Sequence, residues 1–227
     1  MKFNNYLSLD SIQDFIEFFN FKKEPLFIEE DINNSKKILY PTDINNRKYL
    51  DLLVLSYIAA NVPNGKMLDI GTYYGNSAAR MAINSPNSTV FTVNIHPKDK
   101  TKTKAKAVTE ILSEDKIGSF YKKYNLNNIK QIFADTLTWE IPDEINDLQL
   151  VYIDGCHDTR YVINDSLKIY DRVVKNGYIL WHDFSPKYRK NFYWIDKVMS
   201  GIEKLNFIKN KYIFNLNNSW IGIFKKD

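Results

Sequence analysis

The chain has 227 residues, 31 Lys+Arg against 27 Asp+Glu, 44% hydrophobic and 15% aromatic residues, and one cysteine. That length suits one domain with a substantial core, and the composition excludes disordered and fibrous classes. One cysteine excludes a disulfide framework and a multi-cysteine zinc site, and a net charge of +4 spread over scattered lysines gives no concentrated basic face for nucleic acid.

In chain order, Met1 to Asp14 lacks the apolar run of a signal peptide. Ser8 to Asn20 is predicted as a helix, with Ile12, Phe15, Ile16 and Phe19 at helical spacing. Phe21 to Asn46 reads as irregular, broken by Pro25 and Pro41. Arg47 to Ala60 is a strongly apolar helix, and its stretch Leu52 to Ala60 is far shorter than the roughly 20 residues that span a bilayer. Lys66 to Ile70 is a buried strand, Ser77 to Asn84 a helix and Thr89 to Asn94 a second strand. The lysine-rich run Lys98 to Lys106 reads as a solvated loop leading into a helix at Ala105 to Ser113. Lys130 to Ala134 and Leu148 to Ile153 are the third and fourth strands. Arg160 to Val174 reads as a helix capped by Asn176-Gly177, followed by a fifth strand, Tyr178 to Trp181, and a helix from Phe192 to Leu205. Lys211 to Leu216 and Ser219 to Phe224 flank Asn217-Asn218 as a terminal hairpin. Strands alternating with helices define an α/β, doubly wound, mostly parallel sheet, whose ligands sit beyond the carboxyl ends of the first four strands.

The segment Asp69-Ile-Gly71-Thr-Tyr-Tyr-Gly75-Asn-Ser77 lies where the first strand ends and a helix begins. Gly71 allows close backbone approach to a ligand, Gly75 allows tight entry into the helix, and the helix start favours an anionic or carboxylate group. Tyr73 stands where a dinucleotide fingerprint has its middle glycine, which would crowd a pyrophosphate.

Met67 to Ala78 resembles motif I of class I S-adenosylmethionine-dependent methyltransferases, most closely the branch that includes macrocin-type sugar O-methyltransferases. Val151-Tyr-Ile-Asp-Gly-Cys-His157, Tyr161, Asp165, Gly177 and Trp181-His-Asp183 resemble the same branch. The likeness runs from Met67 to Pro186 and extends loosely to the terminal hairpin, which fits the family's sixth and seventh strands. It implies a seven-stranded Rossmann-like methyltransferase domain over residues 47–227, with residues 1–46 as an extension expected to pack over the acceptor site. It also implies a cofactor site: Asp69, Gly71 and Gly75 around the methionine end, Ser77 as a donor, Asp135 at the adenine, and Thr72, Tyr73, Thr136 and Asp154 beside them, with Asp154 taking part in catalysis as well. Asn94 stands where the family has an acid for the ribose; its amide can accept one hydrogen bond but lacks the charge. Asp135 also reads as a turn cap beside Thr136.

Asp154 and His157 follow the fourth strand, His182 and Asp183 the fifth. Those strands are neighbours in a doubly wound sheet, so the four side chains converge, and carboxylates sharing a small volume favour a cation between them. The alternative is that Asp183 caps the following turn and His182 packs beneath it. The resemblance implies that Asp154, His182 and Asp183 hold a magnesium or manganese ion and that His157 is the base. His182 replaces a carboxylate of that family, which turns preference toward softer ions such as manganese, iron or zinc. Cys156 reads as a spacer, His96 as a loop residue, and Trp181, Trp194, Tyr188 and Tyr193 as acceptor-pocket walls or core. Lys187, Arg189 and Lys190 read as a solvated turn or a site for an acidic acceptor.

The resulting expectation is a cytoplasmic, metal-assisted O-methyltransferase that acts from S-adenosylmethionine on a hydroxyl of a small, sugar-like or polyhydroxylated acceptor. No nucleic-acid or membrane partner is expected, and a homo-oligomer stays open. The alternatives are a nicotinamide-dependent oxidoreductase, disfavoured by Tyr73 and Asn94, and a cofactor-binding protein of the same fold with weak turnover.

Overall fold

The computed structural model describes residues 6–26, 47–99 and 110–227. Eight strands form one sheet: β1 (Tyr6–Leu9), β2 (Lys66–Ile70), β3 (Thr89–Asn94), β4 (Ile129–Phe133), β5 (Leu148–Ile153), β6 (Val173–Trp181), β7 (Ile213–Leu216) and β8 (Gly222–Lys225). Their order is β1-β7-β8-β6-β5-β2-β3-β4, and β8 alone runs against its neighbours β6 and β7. The winding reverses at β2, which pairs with β3 on one side and β5 on the other, so the ligand crevice of this topology opens at the carboxyl ends of β2 and β5.

The helices are α1 (Ile12–Phe19), α2 (Arg47–Asn61), α3 (Asn76–Asn84), α4 (Ser119–Lys123), α5 (Thr159–Tyr170) and α6 (Tyr193–Ile202). They cover both faces of the sheet, which is why β2 and β5 read as nearly unbroken apolar runs. On one face Met67, Leu150, Tyr152 and Leu180 pack with α2 and α3; on the other Leu68, Ile70, Val151, Ile153 and Ile179 pack with α5 and α6. Among the described residues no helix is long and apolar enough to cross a membrane.

The sheet has one strand more than the seven expected. Tyr6–Leu9 pairs in parallel with β7, so Ser8 and Leu9 belong to a strand and the first helix starts only after Ser11. The Ser11 hydroxyl accepts from the Asp14 N–H while Asp14 accepts from the Ser11 N–H, a capping box that fixes this start. Phe15 is fully buried and meets Tyr57 of α2 edge to face, with ring centres 6.1 Å apart. The irregular stretch expected up to Asn46 lies outside the described residues from position 27 on.

Helix α5 ends at Tyr170, before the expected Val174. Arg172 donates to the carbonyls of Ile141, Pro142 and Ile145, and its own carbonyl accepts from the Leu148 N–H, turning the chain into β6. Asn176-Gly177 is therefore not a helix cap. It marks an irregularity within β6, where Asn176 has φ 64° and pairing jumps from Leu148↔Val173 to Leu150↔Tyr178. The helix expected at Ala105 to Ser113 lies outside the described residues up to position 109, and residues 110–113 are not helical. α4 follows instead, entered through Gly118 at φ 68°.

Candidate active site

A cavity of about 270 Å³ opens at the switch point. Its walls come from the ends of four adjacent strands: Ile70 and Gly71 after β2, Asn94 and Ile95 after β3, Asp135 and Thr136 after β4, and Asp154 to His157 after β5. Two backbone contacts set its floor. The Gly71 and Thr72 N–H groups donate to the Val93 carbonyl, and the Asp154 N–H donates to the Ile70 carbonyl at 2.8 Å. Gly71 has φ 109°, and a Cβ there would lie 2.0 Å from the Asp154 carbonyl oxygen, so only glycine lets the β2 and β5 loops touch.

The residues expected around the cofactor separate into two layers. Gly71, Tyr73, Asn94, Asp135, Thr136 and Asp154 line the cavity; Asp69, Thr72, Gly75 and Ser77 lie behind it. The Asp69 carboxylate is fully buried and accepts from the Ser77 hydroxyl at 2.7 Å and the Thr92 hydroxyl at 2.6 Å, tying α3 to the sheet. Gly75 has φ 88° and enters α3 against the Tyr121 ring. The loop is itself tied down: the Tyr73 N–H donates to Asn94 Oδ1 at 3.1 Å, and the carbonyls of Tyr73 and Tyr74 accept from Gly118 and Phe120. Asn94 thus spends one acceptor position on the glycine loop.

Asp135 is a turn cap, as expected from its neighbour Thr136, and it also lines the cavity. Oδ1 accepts from the Leu137 N–H at 3.1 Å as a turn cap, while Oδ2 accepts from the Tyr161 hydroxyl at 3.1 Å beside the cavity. Glu110, which sequence reasoning placed within a helix, also lines the cavity and accepts from the Tyr73 hydroxyl at 3.1 Å.

Burial pushes the Asp69 carboxyl up to about 7, against the lowering effect of its two hydroxyl partners. A folded-state pKa above the unfolded 3.8 means that the stability it contributes is complete in acid and is lost as pH rises from about 4 through about 7. We expect Asp69→Asn to remove roughly 2 kcal/mol of the difference in unfolding free energy between pH 5 and pH 8. Urea unfolding of both proteins at each pH reads this directly. Equal pH differences would show that Asp69 is ionised throughout.

At the cavity's β5 side, parallel pairing of Ile153 with Trp181 brings the loops after β5 and β6 together. His157 Nε2 lies 3.0 Å from Asp183 Oδ2 and 3.9 Å from Asp154 Oδ1. His182 Nδ1 lies 3.1 Å from Asp154 Oδ1 and 3.5 Å from Asp183 Oδ2. Asp183 has φ 57°, a left-handed conformation unfavourable for aspartate, which the surrounding contacts hold. Burial opposes every charge here, yet the mutual contacts prevail. His157 is raised to about 9 by Asp154 and Asp183, Asp183 is held far below its ordinary value by the two histidines, and Asp154 is lowered chiefly by His182.

One ligand atom each from Asp154, His182 and Asp183 fall within 4.8 Å of one another, a spacing that suits one ion. His182 Nδ1 is buried and finds no hydrogen-bond partner among the described residues; Asp154 is near enough but not aligned. Against burial, Asp154 and Asp183 raise His182 well above its ordinary value, so Nδ1 carries a proton when no ion is bound, and a borderline divalent cation could take that proton's place among the three groups.

Sequence reasoning missed Asp51. This carboxylate on α2 is buried and reaches His182 Nε2 at 3.3 Å with Oδ2 and the Trp220 N–H at 2.6 Å with Oδ1. The available signal was a single acid inside an apolar run. Other candidates prove structural. Trp181 is wholly buried and donates to the Ser166 hydroxyl, and Arg189 is clamped by Asp196 and Glu203 of the α6 region, so it is not held out for an acidic acceptor. Cys156 lines the cavity between Gly155 and His157, and Tyr193 is exposed. Of the lysine-rich run, only Lys98 and Asp99 lie within the described residues.

Residues 68–184, just over half of the chain, match a family described as a methyltransferase domain. The chain belongs to that family, and its mostly parallel sheet with an antiparallel terminal hairpin is the Rossmann-like methyltransferase fold. Among solved structures, the O-methyltransferase NovP superposes with a TM-score of 0.55 at 12% identity, covering 76% of this chain and 78% of that one. A Staphylococcus aureus protein provisionally assigned as a caffeoyl-CoA O-methyltransferase gives 0.52 at 18% identity over 82% and 86%. An uncharacterised protein of Acanthamoeba polyphaga mimivirus, R132, is 32% identical over 82 residues, so the match spans 36% of this chain and about a third of that relative's length.

Proposed function

We propose that the chain transfers the methyl group of S-adenosylmethionine to a hydroxyl of a small, polyhydroxylated acceptor, with a divalent cation held by Asp154, His182 and Asp183. The observation that carries this reading is that the switch-point cavity and the Asp/His cluster share Asp154 and His157, so a cofactor pocket and a proton-accepting site meet at one sheet edge. The cavity's donor set fits the cofactor: Ile70, Val93, Ile95, Ile111 and Ala134 offer apolar walls for an adenine ring, with Asp135, Asn94 and Glu110 as acceptors for amino and hydroxyl groups.

S-adenosylmethionine supplies a methyl group already activated on a sulfonium centre, so the protein's task is to align and deprotonate a nucleophile. A divalent cation between Asp154 and Asp183 would acidify a bound hydroxyl and offset the carboxylate charge that raises His157. In this reading Asp183, 3.0 Å from His157 Nε2, accepts from Nε2–H and keeps the ring oriented, while the other ring nitrogen, Nδ1, accepts the acceptor's proton. Asp69, Ser77 and Thr92 brace the glycine loop from behind, and Gly71 sets its distance from Asp154. Vicinal hydroxyls, as in a sugar or a catechol, match a site with one cation and one base.

Calorimetric titration tests this with S-adenosylhomocysteine, with a nicotinamide dinucleotide as control, each with and without manganese. The expected result is micromolar binding of S-adenosylhomocysteine and none of the dinucleotide. Absence of S-adenosylhomocysteine binding at high micromolar concentration overturns the methyltransferase reading.

A further inference from the structure

We propose that Asp51 is the positioning residue for His182: it holds the ring with Nε2–H toward α2 and so presents Nδ1 as a cation ligand beside Asp154 and Asp183. This rests on the cation reading given above.

The starting point is an energetic anomaly. Asp51 sits in the run Tyr49-Leu50-Asp51-Leu52-Leu53 on a helix whose neighbouring positions fill the core. A buried carboxylate is costly unless its lone pairs are matched. Its Oδ1 accepts from the Trp220 N–H, which anchors the carboxylate against the β7–β8 connection, and Oδ2 is turned to His182 Nε2. In the proposed arrangement Oδ2 accepts from the Nε2–H of His182. The opposite ring nitrogen then faces Asp154 and Asp183. That is the atom with no hydrogen-bond partner among the described residues.

A cap for the Trp220 N–H alone would explain Oδ1 but not why Oδ2 meets the one histidine of the candidate ligand group. A carboxylate behind an imidazole fixes the tautomer and ring orientation and raises the basicity of the other nitrogen. Asp51 and His182 therefore act as one unit, contributed by α2 and the end of β6, and this unit turns the site toward ions that accept nitrogen, such as manganese or zinc, over magnesium.

The test uses the full chain, its Asp51→Asn variant, and two measurements. Calorimetry with manganese alone should show roughly 10–100-fold weaker binding by the variant, because the single carbonyl oxygen of the introduced amide cannot serve Trp220 and His182 together. Imidazole nitrogen NMR of the zinc-loaded unmodified chain should show His182 protonated at Nε2 with Nδ1 on the metal. S-adenosylhomocysteine affinity without metal reports that the variant is folded. If the unmodified chain binds neither manganese nor zinc, the cation reading fails, and this inference with it. If it binds but the folded variant binds equally well, the Asp51 role is overturned while the cation reading stands. Should the variant not fold, the zinc-form spectrum decides alone: Nε2 on the metal overturns the proposal.

Discussion

His157→Ala is expected to slow methyl transfer by about 10²–10⁴-fold, the usual worth of a positioned proton acceptor, while S-adenosylhomocysteine still binds. His157 is the one imidazole that both lines the cavity and contacts Asp183. In the absence of a cation it serves as the positive partner of two carboxylates, so its removal also leaves Asp154 and Asp183 without that neutralising charge. The assay therefore needs saturating manganese, which takes over the charge balance and isolates the proton-transfer role. Labelled S-adenosylmethionine with a panel of sugars and catechols supplies the acceptor for the comparison. His157→Gln separates the two duties further: the amide can donate to Asp183 but cannot take up a proton. Both variants should be slow with similar affinity for S-adenosylhomocysteine. Turnover by His157→Gln at the unmodified rate would show that His157 only orients Asp183.

The parts legible in the sequence are those fixed by local pattern or by sheet adjacency. β2, β3 and β5 keep the bounds that the sequence predicts, because strands covered on both faces leave short, mostly apolar runs between polar breaks. The meeting of Asp154 and His157 with His182 and Asp183 followed from two strands being neighbours, which Ile153↔Trp181 pairing bears out. What the pattern could not show was depth. Asp69 lies one residue from a cavity-lining residue, but alternation along β2 turns its carboxylate to Thr92 and Ser77 beneath the loop. Asn176-Gly177 imitates a helix cap and so extends the predicted helix over Val173 and Val174, whereas the sheet uses the pair as an irregularity. β1 is four residues long and stops where a helix cap begins, too short to register against that stronger signal. Asp51 meets His182 across 131 positions, a contact that only the folded chain creates.

Gly71→Ala is expected to destabilise the chain by about 3 kcal/mol or more and to abolish S-adenosylhomocysteine and manganese binding together. Two costs coincide at this position. The φ of 109° lies in a region that residues with a side chain rarely adopt, and the added Cβ would fall 2.0 Å from the Asp154 oxygen, 2.5 Å from its carbonyl carbon and 2.9 Å from the Gly155 nitrogen. Those neighbours are backbone and cannot rotate away. The contact also sits between two hydrogen bonds that define the switch point, Gly71 N–H to Val93 and Asp154 N–H to Ile70, so relief requires parting the β2 and β5 loops. Because Asp154 serves both the cavity and the ligand cluster, that movement disturbs both sites at once. Gly155→Ala is the matched control: its Cβ would meet the Ile70 Cγ2 methyl at 3.2 Å, a side-chain atom that can shift by a few tenths of an ångström. Its cost should stay below about 1 kcal/mol in urea unfolding. If Gly71→Ala proves as mild as Gly155→Ala, the two loops part freely, and the site is not set by this backbone contact.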